Sequence, residues 1–177
     1  MNIGPLYPDL LPLIARIQDD APRVTGYKLR ITEGTRSYTL QDARYAIGRT
    51  VMGKLPTIAR PLGQRVTNAR AGMSWHQYGL AMDWCFVSDD PYLEKLIPSD
   101  AAHAWDKFGE LVKAYGFQWG GDFKLLVDKP HTQLTYGLTI HEAMEMHAHG
   151  GMRGVWTYID KLRGCDTSSL WPDLSEL

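Results

Sequence analysis

Ser74-Trp75-His76-Gln77-Tyr78-Gly79-Leu80-Ala81-Met82-Asp83-Trp84-Cys85-Phe86-Val87 is the stretch on which the fold turns. From Gly79 to Val87 it is a short apolar run interrupted by one carboxylate, the pattern of a central strand with Ala81, Asp83 and Cys85 on one face. An ionised carboxylate removed from water costs several kcal/mol unless a cation or good hydrogen bonds compensate it. Asp83 therefore needs a partner, and His76 stands in the turn just before the strand.

The flanking sequence supplies helices and strands to pack on this one. Leu10, Leu13, Ile14 and Ile17 repeat at helical spacing after Asp9, which predicts an amphipathic first helix ending before Pro22. Tyr27, Leu29 and Ile31 alternate with polar residues as a half-buried strand does, and Glu33-Gly34-Thr35 breaks the pattern. Arg36 and Ser37 then lie just past a strand end. Thr39 and Asp42 predict an N-cap for a helix through Ala43, Ala46 and Ile47, with Gln41 in its first turn. Gly48 to Gly72 has no sustained period and reads as a long ordered loop passing near a site.

Downstream, Asp100 is placed to cap a helix whose stripe is Trp105, Phe108, Leu111, Val112 and Tyr115, with Gly116 at its left-handed end. Trp119-Gly120-Gly121-Asp122 reads as a turn, Leu125 to Val127 as a strand fragment, and His131 to Leu134 as the next strand. Thr139 and Glu142 form a capping box, and a second helical stretch carries Val155, Trp156, Ile159 and Leu162 before Gly164. The expected architecture is α+β: a small antiparallel sheet bearing the Asp83 site, flanked by helices, with a C-terminal helical extension. A single domain is expected over residues 1–177, with a catalytic core at about 25–137 and the extension at 138–177.

The chemistry follows from Asp83. Neutral imidazole and carboxylate are ordinary zinc ligands, and a catalytic zinc site takes three protein ligands so that a fourth position can hold water. His76 and Asp83 supply two. His131 is the best third, because Pro130 fixes the backbone before it and Asp128 stands three residues upstream as a base for the water. Arg36 is a candidate to stabilise an oxyanion or grip an acidic group. Ser37, Gln41, Ser74, Trp75 and Tyr78 are candidates for substrate contact; Trp75 and Tyr78 flank His76, and Ser74 has no Gly-x-Ser-x-Gly elbow that would make it a nucleophile.

These segments resemble the zinc peptidases of peptidoglycan that include D-alanyl-D-alanine carboxypeptidases and phage L-alanyl-D-glutamate endolysins. Their shared pattern, SxHxxGxAxD followed by an acidic residue three before a histidine, is filled here by Ser74 to Asp83 and by Asp128-Lys129-Pro130-His131. The resemblance covers roughly residues 25–135 and implies zinc on His76, Asp83 and His131, with Asp128 as base and Arg36 as the arginine after the first strand. The endolysin branch is suggested further by Trp119-Gly120-Gly121-Asp122, Gly48-Arg49-Thr50 and Val66-Thr67-Asn68-Ala69. Where relatives commonly place glutamate, this chain has Asp128, shorter by one methylene. The activity implied is hydrolysis of the L-alanyl-D-glutamate bond in stem peptides, with a D-alanyl-D-alanine carboxypeptidase or a non-catalytic wall-binding module as the alternatives.

Composition narrows the partners. A chain of 177 residues with 44% hydrophobic content and a formal net charge of −1 offers nothing in bulk to a nucleic-acid backbone. No run approaches the roughly 18 apolar residues of a spanning helix, and the N-terminal stretch lacks the basic and apolar regions of an export signal. A monomer made in the host cytoplasm, reaching the wall through a membrane lesion, is the expectation. Cys85 and Cys165 form no CxxC pair and read as two buried free thiols. His141, His147 and His149 do not share one helical face and read as solvated helix-end residues, as does His103. Asp122 reads as a cap for backbone N–H groups in its turn.

Overall fold

A computed structural model describes residues 3–87 and 102–165, so the expected cap Asp100 lies outside the described residues. The elements in chain order are α1 (Leu10–Thr25), β1 (Lys28–Glu33), α2 (Tyr38–Ala46), a 3-10 turn (Trp75–Tyr78), β2 (Ala81–Val87), α3 (Ala102–Ala114), β3 (Gln118–Trp119), a second 3-10 turn (Gly120–Asp122), β4 (His131–Gln133) and α4 (Ile140–Arg163). The strands form one sheet in the order β1-β2-β4-β3, every neighbouring pair antiparallel.

Alternation along β2 divides the molecule. Met82, Trp84 and Phe86 turn into the core, where Phe86 meets Trp105 of α3 with ring centroids 4.3 Å apart, and Leu29 and Ile31 of β1 are buried beside them. Ala81, Asp83 and Cys85 take the opposite face, as the two-residue period requires. Register then does the rest: Asp83 pairs with His131 on one side and, across a bulge, with Glu33 on the other. Residues directly opposite share a face, so three charged or metal-ligating side chains fall in one row.

The helices differ in detail from the pattern reading. α1 runs through Pro22 to Thr25, because the ring removes only its own bond in the last turn. Gly26 (φ 84°) then closes the helix with its N–H on the Pro22 carbonyl at 3.0 Å. Ser37, not Thr39, caps α2: its hydroxyl accepts from the Leu40 N–H at 3.2 Å. Leu125–Val127 is not a strand. Both sides of β4 are already paired, with β2 and β3, and this segment is instead a loop with Leu125 and Val127 exposed. The two free cysteines are half-buried rather than buried.

α4 explains the second helical stretch. Gly150 and Gly151 leave helical geometry, the latter at φ 60°, ψ −156°, a region open in practice only to glycine, and kink the element into two arms. Val155, Trp156 and Ile159 of the second arm join the same core as the sheet, whereas Leu162 is exposed. Trp156 Nε1 donates to the Tyr78 carbonyl at 2.8 Å, so the C-terminal helix holds the turn that carries His76. Tyr7 donates to the buried Asp160 and ties the N-terminal segment to the same arm. At the other end the Thr139–Glu142 capping box is complete. Thr139→Ala is expected to destabilise the protein by about 1 kcal/mol, read as a lower midpoint in chemical denaturation. Among the described residues no helix is long and apolar enough to cross a membrane.

Candidate metal centre

Three elements deliver the ligands. The 3-10 turn before β2 places His76, β2 places Asp83 and β4 places His131. Gly79 ends that turn at φ 67°, and a Cβ there would meet the Pro5 carbonyl at 3.0 Å and the Trp156 ring at 3.1 Å, so the sharp entry into β2 requires glycine.

The donor atoms form a near-equilateral triangle: His76 Nε2 to His131 Nδ1 3.2 Å, His76 Nε2 to Asp83 Oδ1 3.3 Å, His131 Nδ1 to Asp83 Oδ1 3.2 Å. Both tautomers are set from outside. The Gly34 carbonyl, 2.6 Å from His76 Nδ1, can accept only from a protonated Nδ1, which leaves the Nε2 lone pair facing inward. Gln133 donates to Gln118 at 2.7 Å, which turns its amide oxygen to His131 Nε2 at 3.0 Å and leaves the Nδ1 lone pair facing inward. Two lone pairs and a carboxylate oxygen pointed at one another repel unless a cation sits among them. Donors at tetrahedral angles around zinc at 2.0–2.2 Å stand roughly 3.3 Å apart, which is the spacing seen. The residues present fit a zinc ion, and each offers a ligand atom.

Without the ion, a proton shared among the three groups takes its place. Burial acts to raise the Asp83 carboxyl, but the imidazoles of His131 and His76 outweigh it and hold the group well below the carboxylate range. Burial lowers His131 in turn, and Asp83 overcomes it and draws the imidazole upward. A spot that attracts protons this strongly attracts a metal ion in competition with them. The second oxygen of Asp83 faces Arg36 Nη2 at 3.4 Å.

Arg36 is buried, and its guanidinium is already engaged. Nε and Nη2 grip Glu33 at 2.9 and 2.6 Å, and Nη1 donates to Gln41 Oε1 at 2.7 Å. Gln41 is fully buried and passes the connection on to the loop through the Ala69 carbonyl at 2.7 Å. The arginine is thus brought to Asp83, and Gln41 to the arginine. Ser37 is exposed and caps α2, and Tyr78 is buried with its hydroxyl on the Gly72 carbonyl at 2.7 Å. Ser37, Gln41 and Tyr78 therefore commit their polar atoms to the scaffold, whereas Ser74 and Trp75 line the cleft above the triad.

That cleft has a volume of about 670 Å³, with the 66–69 segment on one wall and 123–126 on the other. Asp128 lies at its edge, half-buried, with no side-chain hydrogen bond among the described residues. Burial, followed by the charge of Asp83, raises its pKa. This is the direction that makes a carboxylate a better proton acceptor. The remaining histidines do not join the site: His103, His141 and His149 are exposed, and His147 packs against Tyr38 and Tyr78. Asp122 pairs on the surface with Lys113 at 3.0 Å.

Several contributors escaped the sequence reading. Trp119 Nε1 donates to the Lys129 carbonyl at 2.7 Å, pinning the turn between Asp128 and His131. Its ring crosses Gly109 and Gly121 so closely that neither can carry a Cβ. Gly120 accepts from the Asp128 N–H at 2.9 Å, and a Cβ there would overlap the Asp128 carbonyl and lie 2.9 Å from His131 Cβ. Trp-Gly-Gly is therefore a cradle for Asp128 and His131. Gly120→Ala is expected to weaken zinc retention at least tenfold while the protein stays folded, measured by competition with a chromogenic chelator.

Compared with known proteins, residues 67–134 match a family model described as D-alanyl-D-alanine carboxypeptidase. The chain is 34% identical over 137 residues to the peptidoglycan L-alanyl-D-glutamate endopeptidase CwlK of Bacillus subtilis, covering 73% of this chain and 76% of that protein. Among solved structures it is similar to the L-Ala D-Glu endopeptidase ChiX of Serratia marcescens (22% identity, 71% of this chain and 80% of that one, TM-score 0.45). It is also similar to a vancomycin-resistance D,D-pentapeptidase, VanY, in complex with Zn(II) (22% identity, 83% and 81%, TM-score 0.46).

Proposed function

The chain belongs to the M15 family of zinc peptidases, and from that premise we propose that it hydrolyses the L-alanyl-D-glutamate bond of peptidoglycan stem peptides. The observation that carries the chemistry is the inward-facing triangle of His76, Asp83 and His131 at the floor of a cleft with Asp128 at its edge. Those three residues would hold the zinc, which when bound supplies Lewis-acid polarisation of a carbonyl and brings the pKa of water to about 7.

The protein's own groups do the rest. Gly34 and Gln133 keep the two imidazoles in the tautomers that present lone pairs. Arg36 holds the outer oxygen of Asp83 and is itself held by Glu33 and Gln41, which makes it a positioning residue for that ligand. Asp128 takes a proton from the attacking water at its carboxylate and returns it to the departing amine nitrogen. Ser74 and Trp75 line the path of the peptide. The bond preference follows the 34% identical relative, whose name specifies the L-alanyl-D-glutamate bond. The biological setting we propose is a phage or prophage endolysin acting as a monomer on the wall.

A second reading, removal of terminal D-alanine, is favoured by the description of the matching family model. Incubation of the purified protein with a defined muropeptide, with and without chelator, followed by mass spectrometry of the products, separates them. Metal-dependent scission after L-alanine supports the endopeptidase. Release of free D-alanine transfers the protein to the carboxypeptidase reading.

A further inference from the structure

Between Asp42 and Asp83 the chain carries Arg44, Arg49, Lys54, Arg60, Arg65 and Arg70 and no carboxylate, in a protein whose net charge is −1. Three of these cations serve the fold. Arg44 pairs with Glu33 at 2.9 Å, Arg49 donates to the Tyr45 and Thr67 carbonyls at 2.7 and 3.0 Å, and Arg49 and Arg70 both lie over the Tyr45 ring. Arg60 and Arg65 are exposed, and among the described residues no carboxylate pairs with either.

Both arginines line a second cleft, of about 810 Å³, formed by the 59–65 segment with Gly48, Asn68, Leu125 and Leu126. Asn68, Leu125 and Leu126 also line the metal cleft, so the two share a wall. The lobe that carries the arginines is a built structure. Gly53 N–H donates to the Leu62 carbonyl at 2.7 Å, Gln64 N–H to Lys54 at 2.8 Å, and Thr57 and Arg60 exchange backbone bonds at 3.0 Å. A Cβ on Gly53 would stand 2.5 Å from the Gln64 carbonyl, and one on Gly63 2.5 Å from that of Lys54. Glycine is what lets the two sides of this lobe close on each other.

Two guanidinium groups on a preformed lobe beside the cleft, with no internal acid to satisfy them, match carboxylates on whatever enters it. We propose that this basic groove is a subsite for the acidic part of the substrate peptide. It would grip free carboxylates that flank the scissile bond and favour free-acid stems over amidated ones. The inference rests on the peptidoglycan reading above.

The test is calorimetric binding of two short D-glutamate-containing peptides to the zinc-loaded protein, one with free carboxylates and one with the same groups amidated. The wild type is expected to bind the free acid about tenfold more tightly, the scale of two exposed ion pairs. The Arg60→Gln/Arg65→Gln double variant is expected to bind both peptides at the amidated level, and Lys54→Gln, outside the groove lining, to behave as wild type. Equal binding of the two peptides by the wild type overturns the proposal. So does an equal loss for both peptides in the double variant. Turnover of an intact muropeptide, followed in parallel, keeps the two claims apart. Arginine-dependent binding without turnover would sink the peptidase reading and leave the groove standing, whereas turnover with arginine-independent binding would remove the groove alone.

Discussion

Asp128→Ala is expected to keep one zinc per chain and to lower kcat/KM on the stem-peptide bond by about 10²–10⁴-fold, the usual contribution of a positioned general base. Zinc should stay because Asp128 contributes no atom to the donor triangle. Its backbone, which holds Gly120 at 2.9 Å and His131 at 3.1 Å, is untouched by the substitution. Activity should fall because the half-buried Asp128 is the cleft carboxylate that is neither a donor of the triangle nor, among the described residues, committed to a side-chain hydrogen bond. Metal content by elemental analysis and product formation by mass spectrometry, on the same preparation, check both halves. Retention of activity within a few-fold would mean that another group takes the proton. Loss of zinc would mean that the turn, not the base, had been damaged.

Asp83→Asn is expected to abolish both zinc retention and hydrolysis and to lower the stability of the metal-free fold, because the carboxylate loses its charge toward His76, His131 and Arg36. Arg36, 3.4 Å from Asp83, keeps its pairing with Glu33 when that contact is lost. Zinc binding to the folded state alone raises stability by about 2.7 kcal/mol when the ion is at a hundred times its dissociation constant. A zinc-induced rise in melting temperature should therefore appear in the wild type and vanish in Asp83→Asn, whatever the melting temperature of the metal-free variant. If the variant still responds to zinc, the ligand set is not the one drawn from the triangle. Chelator should reproduce the loss in the wild type, and added zinc should restore it.

The parts of this molecule that were legible in the sequence are those where one element carries its own signal. A lone carboxylate in an apolar strand with a histidine in the preceding turn pointed to His76 and Asp83, because burying such a charge demands a partner. The stripe of α3 and the Thr139 capping box were legible for the same reason, since periodicity and capping are local. Helix ends were less so. Ser37 and Thr39 have the same capping chemistry, and the attachment of Arg36 to Glu33 and Gln41 lies just ahead of the residue that caps.

What only the tertiary structure decided is whatever depends on two distant segments meeting. The strand register sets Asp83 opposite His131 and Glu33, and nothing in either segment's own pattern specifies that row. From the sequence alone, Arg36, Gln41 and Tyr78 are candidates for chemistry or substrate contact. Their partners at Glu33, Ala69 and Gly72 show that a polar residue near a site is as easily spent on fixing its walls. The Trp119 cradle and the basic lobe were hidden because a glycine's close approach and a loop's backbone bonds leave no periodic trace. By itself the sequence pointed to His76, Asp83 and His131 as residues that could hold a metal ion and to Asp128 as the base proposed beside them. The packing of β-strands, glycines and the 48–73 loop decided which of their neighbours line the cleft, because those contacts are between residues far apart in the chain.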